Sequence, residues 1–401
     1  MSTSANNYNY ESAYFLQLMQ CVLNDTHAPS PEENINWNKL YDTAVKHSLA
    51  GMLYFAIEKL AENQKPQEDF MPYLEQMYRE QIVTDLNLTF ETQCILEELD
   101  KAGIKCLPVK GIVTKADYPA EHLRTMSDVD ILCDAHYRLD AEKIFIKNGY
   151  AKESVGEKDT SYRKQDILHY ELHTSLLDSN SPAYDYFSKI WDRVTFKDNS
   201  NIASMTLEDT YIFMLEHLAN HVEYGGAGIR MYMDVYVFLK KHQGALNREY
   251  VDRVLEDILL SDFEKKTVSI VNNWFSGSEE VDVCSDYARF IFYSCTFGKA
   301  KVVFLSDNIR NNNGNTATKN GAIRIIRKIF PKLSWMRIRF KAVDKLPLLY
   351  PVFVVVHLFE RVFIKRDIKT ANIGSYFTSA ESEDARKLRE IFTSLGLEKR
   401  I

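Results

Sequence analysis

Hydrophobic residues recur at helical spacing through the first hundred residues of the chain. From 11 to about 60 they follow the period of an amphipathic helix, and Pro29 and Pro31 separate two helical stretches. A longer helix is predicted from about 72 to 101, and Gly103 ends it. The predicted buried side of this helix consists of Ile82, Leu86, Phe90, Leu96 and Leu99.

After Gly103 the pattern changes to short apolar runs that are typical of strands. One clear helix interrupts these runs at 136–148, and Gly149 ends it. The predicted strands are 104–109, 150–154, 161–164 and 167–177. This section therefore predicts a mixed α/β core, although the pattern does not set the order or direction of the strands.

Helical periodicity returns at Thr206. Thr206 and Asp209 resemble a capping box in which Asp replaces the usual Glu or Gln, and the helix that they open is predicted to reach about 222. Further helices are predicted at 230–241 and within 248–275, and the Asn-rich tract 311–321 predicts an exposed loop. The predicted fold class is α+β, with a mixed-sheet core flanked by N-terminal and C-terminal helical regions.

Composition narrows the class of protein. Hydrophobic residues make up 45% of the chain and charged residues 26%, as in ordinary globular proteins. The net charge of −7 argues against a surface that grips long nucleic acid, which needs clustered Lys and Arg. The six cysteines include no Cys-x-x-Cys pair, so we expect reduced thiols and a cytoplasmic protein. We expect no signal peptide and no transmembrane span, because the best apolar run, 346–359, is too short.

A basic stretch lies near the end of the sequence. Residues 321–367 contain eleven Lys or Arg and three Asp or Glu, interleaved with large apolar residues. Three interpretations stay open: peripheral contact with an anionic membrane, binding of a polyanionic substrate, or a packed helical pair whose charges face water.

The candidate chemistry centres on 107–134. Asp128 and Asp130 point to the same face of a predicted strand, because side chains alternate along a strand. Two carboxylates in this arrangement suit Mg²⁺ or Mn²⁺, which take oxygen ligands and share substrate phosphates. Upstream, Gly111 allows close approach of a phosphate to the backbone, and Lys110 and Arg124 are candidate phosphate-binding residues.

The order Lys110-Gly111, Arg124, Asp128-x-Asp130 resembles the bacterial family of uncharacterised nucleotidyltransferases, within the superfamily of DNA polymerase β. The resemblance covers roughly 75–240. It departs from many nucleotidyltransferases in having Gly111-Ile112 where they have Gly-Ser, so a serine hydroxyl is not expected in the phosphate grip.

The resemblance implies further site residues. Glu171 corresponds to a third acid, which ligands a second metal ion or accepts the proton of the attacking hydroxyl, and His173 follows it on the same strand face. His173 either contacts a phosphate or the acceptor, or is oriented by a neighbouring carboxylate. The implied metal ligands and catalytic residues are Asp128, Asp130 and Glu171.

A helical segment carries the remaining candidates for nucleotide binding, which are His217, His221, Arg230 and Asp234. His217 and His221 share one helix face, but Leu218 stands where a zinc protease needs Glu, so we do not expect zinc. For Arg230 and Asp234 the alternative is an ion pair within one helix.

The resemblance implies a nucleotidyltransferase that moves a nucleoside monophosphate from an NTP such as ATP to an unknown hydroxyl acceptor, in one interpretation in cell-surface polysaccharide metabolism. The alternatives are a toxin-type enzyme that transfers AMP to a protein and a noncatalytic nucleotide-binding module. The predicted segments are an N-terminal helical region (1–102), the nucleotidyltransferase core (103–204), a helical region that closes the cleft (205–310) and a basic, apolar helical segment (321–401).

Overall fold

The computed structural model describes most of the chain up to residue 296 and two later helices. The described residues are 2–32, 34–66, 70–156, 158–165, 168–278, 280–296, 302–303, 305–306, 336, 342–343, 346–359 and 383–400. The predicted loop 311–321 and most of the basic stretch 321–367 lie outside these residues. The predicted α+β class is confirmed, since helices surround a mixed five-stranded sheet.

Four helices precede the sheet. They are α1 (Ser2–Asn24), α2 (Trp37–Lys46), α3 (Ala50–Glu58) and α4 (Met71–Lys101). The α2 helix begins where the side chain of Asn36 accepts a hydrogen bond from the backbone N–H of Lys39, which satisfies one of the free donors of the first turn.

The sheet follows α4. Its strands are β1 (Cys106–Val109), β2 (Val129–Cys133), β3 (Ala151–Val155), β4 (Asp159–Lys164) and β5 (Leu168–His173). Their order is β1-β2-β5-β4-β3, and only the β2/β5 pair is parallel. The short helix α5 (Gly111–Thr114) follows β1, and α6 (Arg138–Lys147) follows β2.

The elements after the sheet are again mainly helical. They are α7 (Tyr184–Phe187), the two-stranded pair β6 (Thr195–Phe196) and β7 (Ala203–Ser204), α8 (Leu207–Tyr224), α9 (Ile229–His242), α10 (Arg248–Asp257), α11 (Ser261–Phe275), α12 (Asp286–Ser294), α13 (Tyr350–Phe359) and α14 (Glu383–Ser394). The predicted cap of α8 is present, since the Thr206 side chain accepts from the Asp209 N–H. None of the described helices is long and apolar enough to cross a membrane.

The predicted buried side of α4 was partly wrong. Leu86 and Phe90 are 63% and 68% exposed. The face that packs on the sheet instead carries Leu88, Thr92, Ile95 and Leu99. Asp85 lies on the buried side as well, where its carboxylate accepts from the buried Lys115 ammonium at 2.7 Å, a contact that the apolar pattern of the helix does not encode.

The last strand is also shorter than predicted. It ends at His173 rather than at Leu177, because the Ser175 hydroxyl donates to the Leu177 carbonyl and closes a turn. Leu176 and Leu177 then pack into the helical core instead of extending the sheet.

Two hydrophobic clusters organise the molecule. One lies between the sheet, α4 and α6, with Phe145 stacked on Tyr162. The larger one joins the N-terminal helices to α8, α9 and α11, with Phe15, Tyr211 and Trp274 fully buried. Because the helices before and after the sheet share this core, they hold the polar face of the sheet against α8 and α9, and the candidate site forms there.

Candidate active site

The central parallel strands bring two acids together. Asp130 of β2 pairs in register with Glu171 of β5, and His173 lies two positions further along the same face of β5. The alternate residues Val129 and Ile131 enter the core on the opposite face. Residues that are 41 positions or more apart in sequence thus become direct neighbours.

Of the two acids, Asp130 has the closer contacts with basic side chains. Its Oδ1 accepts from Lys110 Nζ at 2.6 Å and lies 2.8 Å from His173 Nε2, which is also 3.4 Å from Glu171 Oε2. Burial alone would raise the pKa of Asp130, but Lys110 and His173 outweigh it and lower the pKa well below its usual range. The hydrogen bond from His173 lowers the pKa of Glu171 as well, so both acids are ionised at neutral pH.

Asp130, Glu171 and His173 form a cluster that fits a divalent metal ion, since their ligand atoms lie within 4.8 Å of one another. Paired carboxylates are the donors that Mg²⁺ and Mn²⁺ prefer. The sequence predicted Asp128 in place of His173. Asp128 lies just before β2 on the wall of the same cavity, where its carboxylate accepts from Ser127 Oγ at 2.9 Å.

The pKa of Asp128 is raised by burial and by the neighbouring Asp130 charge. Such a carboxylate is destabilised in the ionised form unless a cation joins it. A bound divalent cation would relieve the repulsion between the two aspartates. Asp128 stays a predicted ligand, since the ligand atoms that converge belong to Asp130, Glu171 and His173.

Lys110 reaches the acids from a strained turn. Its φ is 61° and its ψ is −134°, in a region of backbone conformation that is normally reserved for glycine. Residues after the turn form α5, and the Lys110 carbonyl accepts from the N–H of Val113 and of Thr114. With this backbone conformation, the Lys110 ammonium contacts Asp130. The strain energy of the turn is therefore located at the candidate site.

Gly111 makes room for a neighbouring side chain. A Cβ at this position would lie 3.0 Å from Arg124 Nη1 and from Met126 Cγ, closer than side chains normally pack. The sequence assigned this glycine to the approach of a phosphate. The structure adds that Gly111 allows Arg124 to pack beside α5.

Arg124 forms a buried bidentate ion pair with Asp234 of α9. Arg124 Nε donates to Oδ1 at 3.0 Å and Nη2 donates to Oδ2 at 2.7 Å, and the Tyr118 hydroxyl donates to the same carboxylate. The Arg124 guanidinium therefore braces the β1–β2 connection against α9. Asp234 pairs with Arg124, and the predicted alternative of an Arg230–Asp234 pair within the helix is wrong.

Arg230 is the guanidinium with spare donors. Its Nη1 donates to the carbonyl and the hydroxyl of Thr125, but its buried Nε has no hydrogen-bond partner in the described part of the chain. Burial and the nearby Arg124 charge lower the pKa of Arg230 to about 10. A bound anion would satisfy Nε and offset the cost of burying this charge.

His217 and His221 pack edge to face on α8, with ring centroids 4.6 Å apart. Burial, the Lys110 charge and their mutual proximity lower the pKa of His217 well below its usual value. Burial and the Lys110 and Arg230 charges lower the pKa of His221 to about 4. Both imidazoles are therefore neutral at pH 7, and each can donate and accept one hydrogen bond.

These residues line one cavity of about 390 Å³, between the sheet edge, α8 and α9. The cavity brings together all the predicted site residues except His173, which lies behind Asp130. Sequence reasoning missed its apolar wall, formed by Met205, Phe213, Met214 and Met231. The only signal for these residues was an apolar helix pattern, which does not distinguish a cavity wall from a core.

The sequence profile of one protein family, described as uncharacterised nucleotidyltransferase, matches residues 33–276, more than half of the chain. The chain belongs to this family. The match includes the N-terminal helices from α2 onward, the whole sheet and α8 to α11, so it spans every wall of the cavity except Thr296. No curated protein and no solved structure matches the chain.

Proposed function

We propose that this protein is a Mg²⁺-dependent nucleotidyltransferase that moves a nucleoside monophosphate from an NTP to a hydroxyl group. The observation that carries the proposal is the meeting of Asp130 and Glu171 on adjacent strands, beside an enclosed cavity with both an apolar wall and a buried arginine. Family membership supports the reaction class.

The cavity contains both apolar and charged groups that a nucleotide needs. Phe213 and Met214 offer apolar surface for a base, while Arg230 and Lys110 can meet phosphates. An apolar wall with a few placed polar groups is typical of small-molecule sites.

Asp128 and Asp130 would hold the metal, which when bound neutralises phosphate charge and lowers the pKa of the attacking hydroxyl. Of the two roles predicted for Glu171, metal ligand or proton acceptor, we propose the second. The acceptor oxygen forms a bond to the α-phosphorus, and the bond from that phosphorus to the bridging oxygen breaks. Pyrophosphate leaves with the bonding electron pair, and the hydroxyl proton passes to the ionised Glu171 carboxylate.

The lysine and histidine beside Asp130 keep that carboxylate ionised and in place. The role of Arg124 is positional in this proposal, because its guanidinium is engaged by Asp234. Arg230, whose Nε has no partner among the described residues, then takes the phosphate-binding role that was predicted for both arginines.

The proposal also includes four predictions about the nucleotide, the superfamily, the biological role and the location of the protein. They are the use of ATP, a place in the polymerase β superfamily, a role in cell-surface polysaccharide metabolism and a cytoplasmic location. Transfer of AMP to a protein and noncatalytic nucleotide binding are outcomes that the following experiment separates.

The test is pyrophosphate release from each of the four NTPs with Mg²⁺ or Mn²⁺, in the presence of pooled sugars, small metabolites or cell extract. Removing one charge that acts at the reacting phosphate costs about 100-fold in rate. We therefore expect Asp130→Asn and Asp128→Asn to reduce release by at least that factor.

Asp140→Asn is the matched control, since Asp140 is exposed on α6 and, among the described residues, forms its ion pair with Lys143. Transfer of label from ATP to a protein band would favour the protein-modifying enzyme. Nucleotide binding with no release under any condition would refute catalysis and leave a binding module.

A further inference from the structure

A second cavity, of about 510 Å³, adjoins the candidate active site. Lys110, Glu171, Phe213 and His217 line both cavities. The carboxylate proposed to receive the acceptor's proton therefore lies at the boundary between the two spaces. Two substrates can then reach Glu171 from different sides.

His173 lines the second cavity and not the first. His173 is only 5% exposed, its Nε2 contacts Asp130, and its buried Nδ1 has no hydrogen-bond partner within the described residues. A buried ring nitrogen without a partner is costly. The residue therefore adds a polar group to the wall of the second cavity beside Glu171.

The charges of the second cavity disfavour an anionic ligand. Its acidic residues are Asp159, Glu171, Asp178, Glu216 and Glu223, and its lysines and arginine are Lys110, Lys158 and Arg400. Each of these cations already has a carboxylate partner: Lys110 has Asp130 at 2.6 Å, Lys158 has Asp178 at 3.2 Å, and Arg400 has Glu216 at 2.7 Å.

Uncharged donors and acceptors complete the wall. Asn220 lies on α8 one residue before His221, and its side chain makes no hydrogen bond within the described residues. Asn180 also lines the cavity, next to Ser181, whose hydroxyl donates to Glu216 and accepts from the Ala183 N–H. Amide and hydroxyl groups of this kind recognise the hydroxyls of an uncharged ligand.

We propose that the second cavity binds the acceptor, and that the acceptor is a polyhydroxylated compound that is neutral or carries an amine, and bears no phosphate. The proposal rests on the proposed nucleotidyl transfer, whose acceptor it specifies. One hydroxyl of this compound reaches Glu171, which lines both cavities, while others meet the amide of Asn220.

The test measures binding rather than turnover, so that it does not depend on catalysis. Glucose, glucosamine and glucose 6-phosphate are matched probes that differ in charge. Each is titrated into the full chain with Mg²⁺ and a nonhydrolysable ATP analogue, and binding is followed by calorimetry and by saturation-transfer NMR. We expect glucose and glucosamine to bind at least tenfold more tightly than glucose 6-phosphate.

Asn220 variants that differ in charge test whether the probe binds in the second cavity. Asn220→Lys should weaken glucosamine binding at least tenfold and Asn220→Asp should strengthen it, while the affinity for the ATP analogue in the absence of probe changes less than threefold. Asn272→Ala, at an exposed asparagine of α11, is the control and should change neither affinity.

Tightest binding of glucose 6-phosphate, binding that Asn220 variants do not alter, or no binding of any probe would overturn the proposal. Failure of the ATP analogue to bind, with the sugars still bound through Asn220, would instead refute the proposed nucleotidyl transfer and leave the second cavity as a sugar site. The two failures are therefore distinguishable.

Discussion

Arg124 and Asp234 form a two-armed ion pair between residues that are 110 positions apart in sequence. The pair is almost fully buried, with both side chains 9% exposed, and it ties the β1–β2 connection to α9. This geometry fixes the distance between the sheet, which carries the acids, and the helix that carries Arg230.

Breaking this pair should destabilise the fold strongly. Removing one partner leaves a buried charge without compensation, which costs about 3–5 kcal/mol in free energy of unfolding. We expect this loss for Arg124→Met and for Asp234→Leu, measured by urea denaturation. The double variant should recover much of it, and a purely additive double variant would contradict the coupling. Lys143→Met, which breaks an exposed pair on α6, should cost less than about 0.5 kcal/mol.

The strained backbone of Lys110 predicts an unusual order of stability. Both Lys110→Ala and Lys110→Gly remove the contact with Asp130, but only glycine adopts the conformation at φ 61° without strain. The glycine variant should therefore be more stable than the alanine variant by about 1 kcal/mol. Denaturant unfolding of the two proteins measures the difference, and an alanine variant of equal or greater stability would contradict it.

Arg230 should contribute to the binding of phosphates rather than to the fold. A charge-assisted hydrogen bond contributes about 1.5–3 kcal/mol, so Arg230→Gln should weaken ATP binding by at least about tenfold. Adenosine binding should change little, because the nucleoside lacks the anion that Nε would meet. Calorimetry with ATP and with adenosine measures the two changes in affinity. Equal losses for ATP and adenosine would indicate a general disruption of the cavity.

The low pKa of His221 predicts a loss of stability in acid. Its pKa in the folded protein is about 4, below the ordinary value of 6.5, so the unfolded chain binds its proton first as the pH falls. Stability is complete above pH 6.5 and decreases between pH 6.5 and 4. The His221 ring lines the cavity, where solvent weakens the effect of the pKa shift. We therefore expect the shift to contribute about 1–2 kcal/mol to the free energy of unfolding.

The measurement is the difference in unfolding free energy between the wild type and His221→Gln from pH 7 to pH 4. This difference should become less favourable to the wild type as the pH falls, whatever the carboxylates contribute to both proteins. A difference that is independent of pH would show that the imidazole titrates normally.

The sequence by itself determined the helical regions and the mixed core, and it predicted the candidate site residues. These features follow from local rules, because periodicity sets the elements. The alternation of side chains along a strand placed Asp130 opposite the core residues Val129 and Ile131, whereas Asp128 lies just before β2. The α8 cap at Thr206 was predictable for the same reason, since its hydrogen bond spans three residues.

Only the tertiary structure decided which of these residues act together. The parallel pairing of β2 with β5 set Glu171 beside Asp130, and the packing of α9 gave Asp234 to Arg124 rather than to Arg230. The buried side of α4 likewise includes Asp85, a polar residue whose partner Lys115 lies 30 positions away and does not appear in the helix's own pattern. Contacts over such separations depend on how whole elements pack, and a periodic pattern records only that a face is buried, not against which partner.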